Sequence, residues 1–102
     1  MKENKLSPIA PGEVLREDFL KPLKMNADQL ALALRVPAGR ITAILEGRRA
    51  ISGDTALRLA RYFDMTPRFW MNLQAQFELR KAEAALSDKI AREVQPREKS
   101  AA

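Results

Sequence analysis

NADQLALALRVPAGRITAILE, residues 26–46, reads as two short helices joined by a tight corner. Its apolar residues, Leu30, Ala31, Leu34, Val36, Ile41, Ile44 and Leu45, fall at helical spacing with one interruption. Asn26 is a good N-cap, because its side-chain oxygen can accept from an orphan N–H of the first turn. Ala31 is small where a second helix must cross closely over the first. Pro37 opens the second helix, where its missing N–H costs nothing and its fixed φ suits the first position. Ile41 and Ile44 give that helix one apolar face, leaving Ala38, Gly39, Arg40, Thr42 and Ala43 to point outward. Gly47 is the stop. Helix, short turn, helix with a small residue at the crossing is the pattern of a helix-turn-helix, whose second helix reads the DNA major groove. A plain helical hairpin inside a small bundle has the same spacing, so the surroundings decide between the two.

Those surroundings are basic. The net charge is +5, and it is unevenly placed. Residues 1–34 balance at five Lys/Arg against five Asp/Glu, whereas residues 35–68 carry seven Arg against three acids. Residues 69–81 add one positive charge, and 82–102 balance again at four against four. The excess begins at the corner of the suspected motif and ends just past it, as a phosphate-facing surface requires. A solvated face with helix C-terminal arginines is the simpler alternative.

Composition narrows the function classes. A chain of 102 residues, 46% apolar and 30% charged, fits one soluble domain. With no Cys there is neither a disulfide nor a thiolate metal site, which fits a reducing cytosol and suggests a cytoplasmic protein. With no His the usual general base, the commonest metal ligand and the usual triads are missing. No catalytic residue, cofactor or metal site is therefore expected. No apolar run approaches a membrane span, and MKENKLSPIAPGE lacks the apolar core of a signal peptide.

Outside the motif, residues 1–10 read as a mobile arm and 95–102 as a disordered tail, flanking one domain over 11–94. A first helix starts at Pro11-Gly12-Glu13 and runs to Leu20 or Lys21, where Pro22 ends it. Val14, Leu15 and Phe19 face its core, and Glu13, Glu17 and Asp18 make the other side acidic. Gly47-Arg48-Arg49 forms a loop with two arginines placed for phosphates. A fourth helix follows the cap Ser52, with Leu57, Ala60 and Phe63, joined by Ala56 and Leu59, inside and Arg58 and Arg61 outside; Asp64 ends it. Thr66-Pro67 caps a fifth. Phe69, Trp70, Leu73 and Phe77 form its inner stripe. Met71, Ala75, Leu79, Ala82 and Leu86 form a second, nearly opposite stripe that suits a partner subunit. No local signal marks where this helix stops before Pro96, and Val94 is its furthest end. The expected fold is all-α, a compact bundle of five helices with the second and third as the helix-turn-helix.

Four motifs then carry a family resemblance: PGEVLREDFLKPL at 11–23, VPAGRITAILEGRRAIS at 36–52, DTALRLARYF at 54–63 and PRFWMNLQAQFELRKAE at 67–83. Together they make the chain similar to the HigA-type antitoxins, a branch of the lambda-repressor-like helix-turn-helix family also known as addiction-module antidotes. The resemblance implies an antitoxin that neutralises a HigB-like ribonuclease toxin and binds its own promoter as a dimer. It places base contacts on Ala38, Gly39, Arg40, Thr42 and Ala43, with Arg40 matching guanine O6 and N7. Phosphate contacts fall on Asn26, Ala27, Arg48 and Arg49, and the dimer interface on the fifth helix. The implied partners are double-stranded operator DNA, a second copy and the toxin, with no membrane.

Three positions depart from the family pattern. Ala27 stands where a phosphate-bonding Gln is usual. Arg35 stands where the corner usually has Gly, so either the turn differs or Arg35 adopts positive φ. Gly39 removes an amide that could read adenine and weakens helix propensity by about 1 kcal/mol relative to Ala. The acidic side of the first helix, Glu13, Glu17 and Asp18, is a toxin-facing candidate by charge opposition. A stand-alone repressor without a toxin, and a protein-interaction bundle that has lost DNA binding, are the competing functions.

Overall fold

The computed structural model describes residues 8–98. Of the expected arm and tail, residues 8–10 and 95–98 are non-helical, and 1–7 and 99–102 lie outside the described residues.

Helix α1 spans 11–23 as one continuous rod in three stretches, α-helical Pro11–Val14, π-helical Leu15–Leu20 and α-helical Lys21–Leu23. Pro22 does not end it, contrary to the sequence expectation. A proline inside an α-helix clashes with the carbonyl four residues earlier. Here the ladder widens just before it, the Lys21 N–H donating to Arg16 O five residues back, and the wider turn gives the ring room. The remaining helices are α2 (Ala27–Leu34), α3 (Ala38–Leu45), α4 (Gly53–Phe63) and α5 (Pro67–Glu93).

The expected starts hold at four of five helices, α1 opening at Pro11 as its sequence suggests. Asn26 Oδ1 accepts from the Gln29 N–H at 2.8 Å, while Gln29 Oε1 accepts from the Asn26 N–H at 2.9 Å, a reciprocal capping box. Ser52 and Thr66 cap α4 and α5. Pro37 is the exception by one position. With ψ 143° it is still extended and forms the N-cap, so α3 begins at Ala38.

The first four helices stop in one way, with a left-handed residue and an N–H that reaches back across the last turn. Met25 donates to Leu20 O, Val36 to Ala31 O, Arg48 to Ala43 O and Met65 to Ala60 O, at 2.8–3.0 Å. The left-handed residues are Lys24, Arg35, Gly47 and Asp64, with φ of 55°, 61°, 78° and 55°. The corner of the motif is therefore a left-handed turn built with arginine, at a cost of about 1 kcal/mol.

The core runs through every helix. Leu15, Leu30, Ile41, Ile44, Ile51, Leu59 and Trp70 are its largest fully buried apolar side chains. Phe19 of α1 lies 4.9 Å, ring centre to ring centre, from both Phe63 of α4 and Trp70 of α5. Ala31 is buried at the α2–α3 crossing, as its size suggested. Leu57 is not in the core but 62% exposed, because α4 turns Ala56, Leu59 and Ala60 inward instead. The buried Gln74 of α5 accepts from the Ile51 N–H at 2.8 Å and pins the loop after α3.

Gly12 makes the tightest approach. A Cβ there would overlap the Ile44 carbonyl oxygen and sit 3.0 Å from Leu45 Cα, so only glycine lets α1 lie against the end of α3. One turn later the Arg16 guanidinium donates to Leu45 O at 3.0 Å.

Two substitutions test these readings, with Trp70, the only tryptophan, as the fluorescence probe of denaturant unfolding. Gly12→Ala should destabilise by about 2 kcal/mol or more, since backbone must shift. Lys24→Gly should stabilise by about 0.5–1 kcal/mol by removing left-handed strain.

Candidate nucleic-acid interface

Helix α3 is held at both ends and open along its first turn. Ala38 and Gly39 are exposed, and a Cβ built on Gly39 meets nothing within 4 Å. Thr42 and Ala43 are half-buried instead of fully outward. The chain after Gly47 folds back over them, with the Arg48 and Arg49 N–H groups both donating to Ala43 O.

Arg40 departs furthest from the expectation of a freely outward side chain. It folds onto the first turn of α4, where its Nη1 donates to Asp54 Oδ2 at 2.7 Å, leaving the side chain 20% exposed. Its Nε is buried without a hydrogen-bond partner. The other carboxylate oxygen, Asp54 Oδ1, accepts from Arg58 Nε at 2.7 Å. Arg58 Nη1 in turn donates to Leu34 O at 2.8 Å and caps the end of α2. Arg16 and Arg58, from helices outside the motif, thus cap the last turns of α3 and α2. Hydrogen bonds from Arg58, then Arg40, hold the Asp54 carboxyl below its ordinary value, against a smaller opposing effect of desolvation.

The candidate phosphate ligands differ among themselves. Arg48 is paired with Glu46, its Nη2 lying 2.6 Å from Oε1, whereas Arg49 is exposed and has no ion pair among the described residues. At the start of α2 the Asn26 N–H is spent in the capping box. Ala27 and Asp28 keep the first-turn N–H groups that a helix cannot satisfy internally. Asp28 adds a carboxylate to that turn, which opposes an incoming phosphate.

Two further surfaces carry candidate residues. Along α5, Met71, Ala75, Leu79, Ala82 and Leu86 are all exposed, and the stripe continues through Ile90 and Val94. On α1, Glu13, Glu17 and Asp18 are exposed, with Glu17 paired to Lys21 at 2.9 Å. Sequence reasoning missed Asp54, Arg58 and Arg16, whose partners lie 14 to 29 residues away. Basic residues near a reading helix were a signal for Arg58, but nothing local marked its contact with Leu34. Among the described residues there is no metal-binding cluster, and no helix is long and apolar enough to cross a membrane.

The helix-turn-helix family pattern matches residues 17–70, which spans α2, α3 and α4 entirely. The virulence-associated protein I of Dichelobacter nodosus is 46% identical over 81 residues, covering 79% of this chain and 75% of that protein. Among solved structures, an addiction module antidote protein of the HigA family from Coxiella burnetii is 48% identical, with a TM-score of 0.84. That match covers 89% of this chain and 99% of the other. The Pseudomonas aeruginosa antitoxin HigA, solved with the higBA promoter, is 45% identical with a TM-score of 0.85, covering 87% and 97%.

The Asp54 shift has a pH consequence. The carboxyl titrates lower folded than unfolded, so its contribution is complete above the unfolded value of about 3.9. It is lost as pH falls through the lower folded value. Asp54→Asn should therefore flatten the acid limb of the stability curve below about pH 4, measured by urea titration at stepped pH. An unchanged acid limb would count against the shared carboxylate.

Proposed function

We propose a function from one premise: the chain belongs to the helix-turn-helix family and, within it, to the HigA-type addiction-module antitoxins. The protein is an antitoxin that neutralises a HigB-like ribonuclease toxin and represses its own promoter as a dimer. The observation that carries the DNA half is the unobstructed first turn of α3, Ala38 and Gly39, flanked by the exposed Arg49 and the tethered Arg40. A groove floor that approaches Ala38 and Gly39 meets nothing larger than the Ala38 methyl. The role is one of binding, in the cytoplasm, and a chain without His or Cys supports it.

Within this reading Arg40 supplies the guanine contact, Thr42 a methyl contact or a hydrogen bond, and Ala38, Gly39 and Ala43 the close surface. Arg49, Arg48 and the Ala27 N–H hold phosphates, with Asn26 contributing its side-chain amide. Gly39 has no group with which to read adenine, so part of the sequence preference comes from DNA shape. Dimerisation uses the α5 stripe of Met71, Ala75, Leu79, Ala82 and Leu86, extended by Ile90. Burying these side chains against a second copy removes an apolar face that a lone chain leaves in water. The toxin meets the acidic side of α1 at Glu13, Glu17 and Asp18, whose charge attracts a basic ribonuclease.

The deciding experiment is fluorescence anisotropy with DNA from upstream of the gene and with scrambled DNA, each at two salt concentrations. Upstream DNA should bind more tightly. Arg49→Ala should weaken both duplexes and reduce the slope of log K against log salt by about 0.9. Equal affinity for the two duplexes would contradict sequence reading. Leu79→Glu with Leu86→Glu should convert a dimer into a monomer in sedimentation equilibrium while leaving Trp70 fluorescence native. Reversing the charges of Glu13, Glu17 and Asp18 should slow association with a basic HigB-like toxin; unchanged association would remove α1 from the toxin interface.

A further inference from the structure

Arg40 and Asp54 come from different helices, yet the first turn of α4 fixes where the Arg40 guanidinium lies. We propose that Asp54 is a specificity-determining positioning residue: it holds Arg40 in one orientation beside the open turn of α3, so that Arg40 meets a base edge already aligned and is withheld from passing phosphates. The proposal rests on the DNA-reading assignment above and adds to it a residue outside the reading helix.

Three features support it. Each Asp54 carboxylate oxygen takes one arginine, Arg40 on Oδ2 and Arg58 on Oδ1, both at 2.7 Å. Arg58 is itself anchored on Leu34 O, so the far end of the clamp is fastened to the helix before the corner. Carboxylate and reading arginine are therefore tied to the same rigid unit that docks on DNA. Second, the guanidinium is held by its inner side. Nε is buried and Nη1 is on Asp54, which leaves the Nη2 end as the part that can meet a ligand. Third, two arginines share one acid, so the cluster keeps a net positive charge and remains attractive to DNA.

The consequence follows from what arginine ordinarily loses on binding. It is long and rich in rotamers, and fixing it on a ligand costs affinity unless it is already fixed. A free arginine also reaches any phosphate, which raises affinity for every sequence alike. Ordering Arg40 in advance thus strengthens binding to the matching base and weakens the indiscriminate contact. Both effects widen the gap between operator and random DNA.

The test is a double-mutant cycle on the full chain with upstream and scrambled duplexes. Asp54→Asn should lower the ratio of upstream to scrambled affinity about tenfold, within the range of couplings between contacting residues. Scrambled-DNA binding should tighten, and its salt slope should steepen by about 0.9 as Arg40 finds a phosphate. In an Arg40→Ala background Asp54→Asn should leave the ratio unchanged. Asp54→Ser, polar and uncharged, should repeat these results, with native Trp70 fluorescence verifying the fold of each variant. A ratio that Asp54→Asn does not change, or lowers equally without Arg40, overturns the proposal while leaving DNA reading intact. A wild-type chain that does not distinguish the two duplexes overturns the DNA-reading assignment and the proposal with it.

Discussion

An eight-residue helix has no stability of its own in water, because nucleation is too costly for so few hydrogen bonds. Helix α3 exists because its neighbours hold it at both ends. At its carboxyl end, α1 comes so close that residue 12 must be glycine, and Arg16 caps the Leu45 carbonyl. At its amino end, the Arg40–Asp54 pair ties it to α4. Between these points Ile41 and Ile44 are buried beneath it. What remains is one short exposed turn, and its position is set by the rest of the protein.

The parts legible in the sequence are those governed by neighbours a few residues away. Asn26, Ser52 and Thr66 act through their own first turns, and the 3.6-residue spacing of Leu30, Leu34, Ile41 and Ile44 marks the buried faces. The parts that were not legible depend on distant contacts or on competing local effects. Pro22 looked like a terminator, since proline's clash is local, but the π turn that relieves it follows from packing. Leu57 has the right residue type for a core, but a helix turns about 100° per residue, and with Thr55, Ala56 and Leu59 facing inward Leu57 is carried round to solvent. Arg40 sits at an outward spacing, and only its partner fourteen residues later turns it back. The absence of glycine at the corner left two possibilities, and Arg35 at φ 61° resolves them in favour of the ordinary turn.

Helix α5 projects beyond the body built by the other four helices. The longest extent is 57 Å against 33 and 23 Å, because the 27-residue α5 far outruns the four shorter helices. Its first turns bury Trp70 and Gln74 in the body, while Leu79, Leu86 and Ile90 stay exposed farther along. The basic excess lies between Arg35 and Arg68 in the sequence, and Arg48 and Arg49 line one cleft with Phe77, Glu78 and Lys81 of α5. The acidic residues of α1 lie on the helix that packs against and caps the end of α3.

Backbone amide chemical-shift mapping of the full chain, titrated with the duplex from upstream of its gene, tests this account most directly. The account predicts the largest shifts at the amides of Ala38 to Ala43, with smaller ones at Ala27 and Arg49 and little change along 79–93. Shifts concentrated on α5 or on the acidic side of α1, with α3 silent, would contradict it.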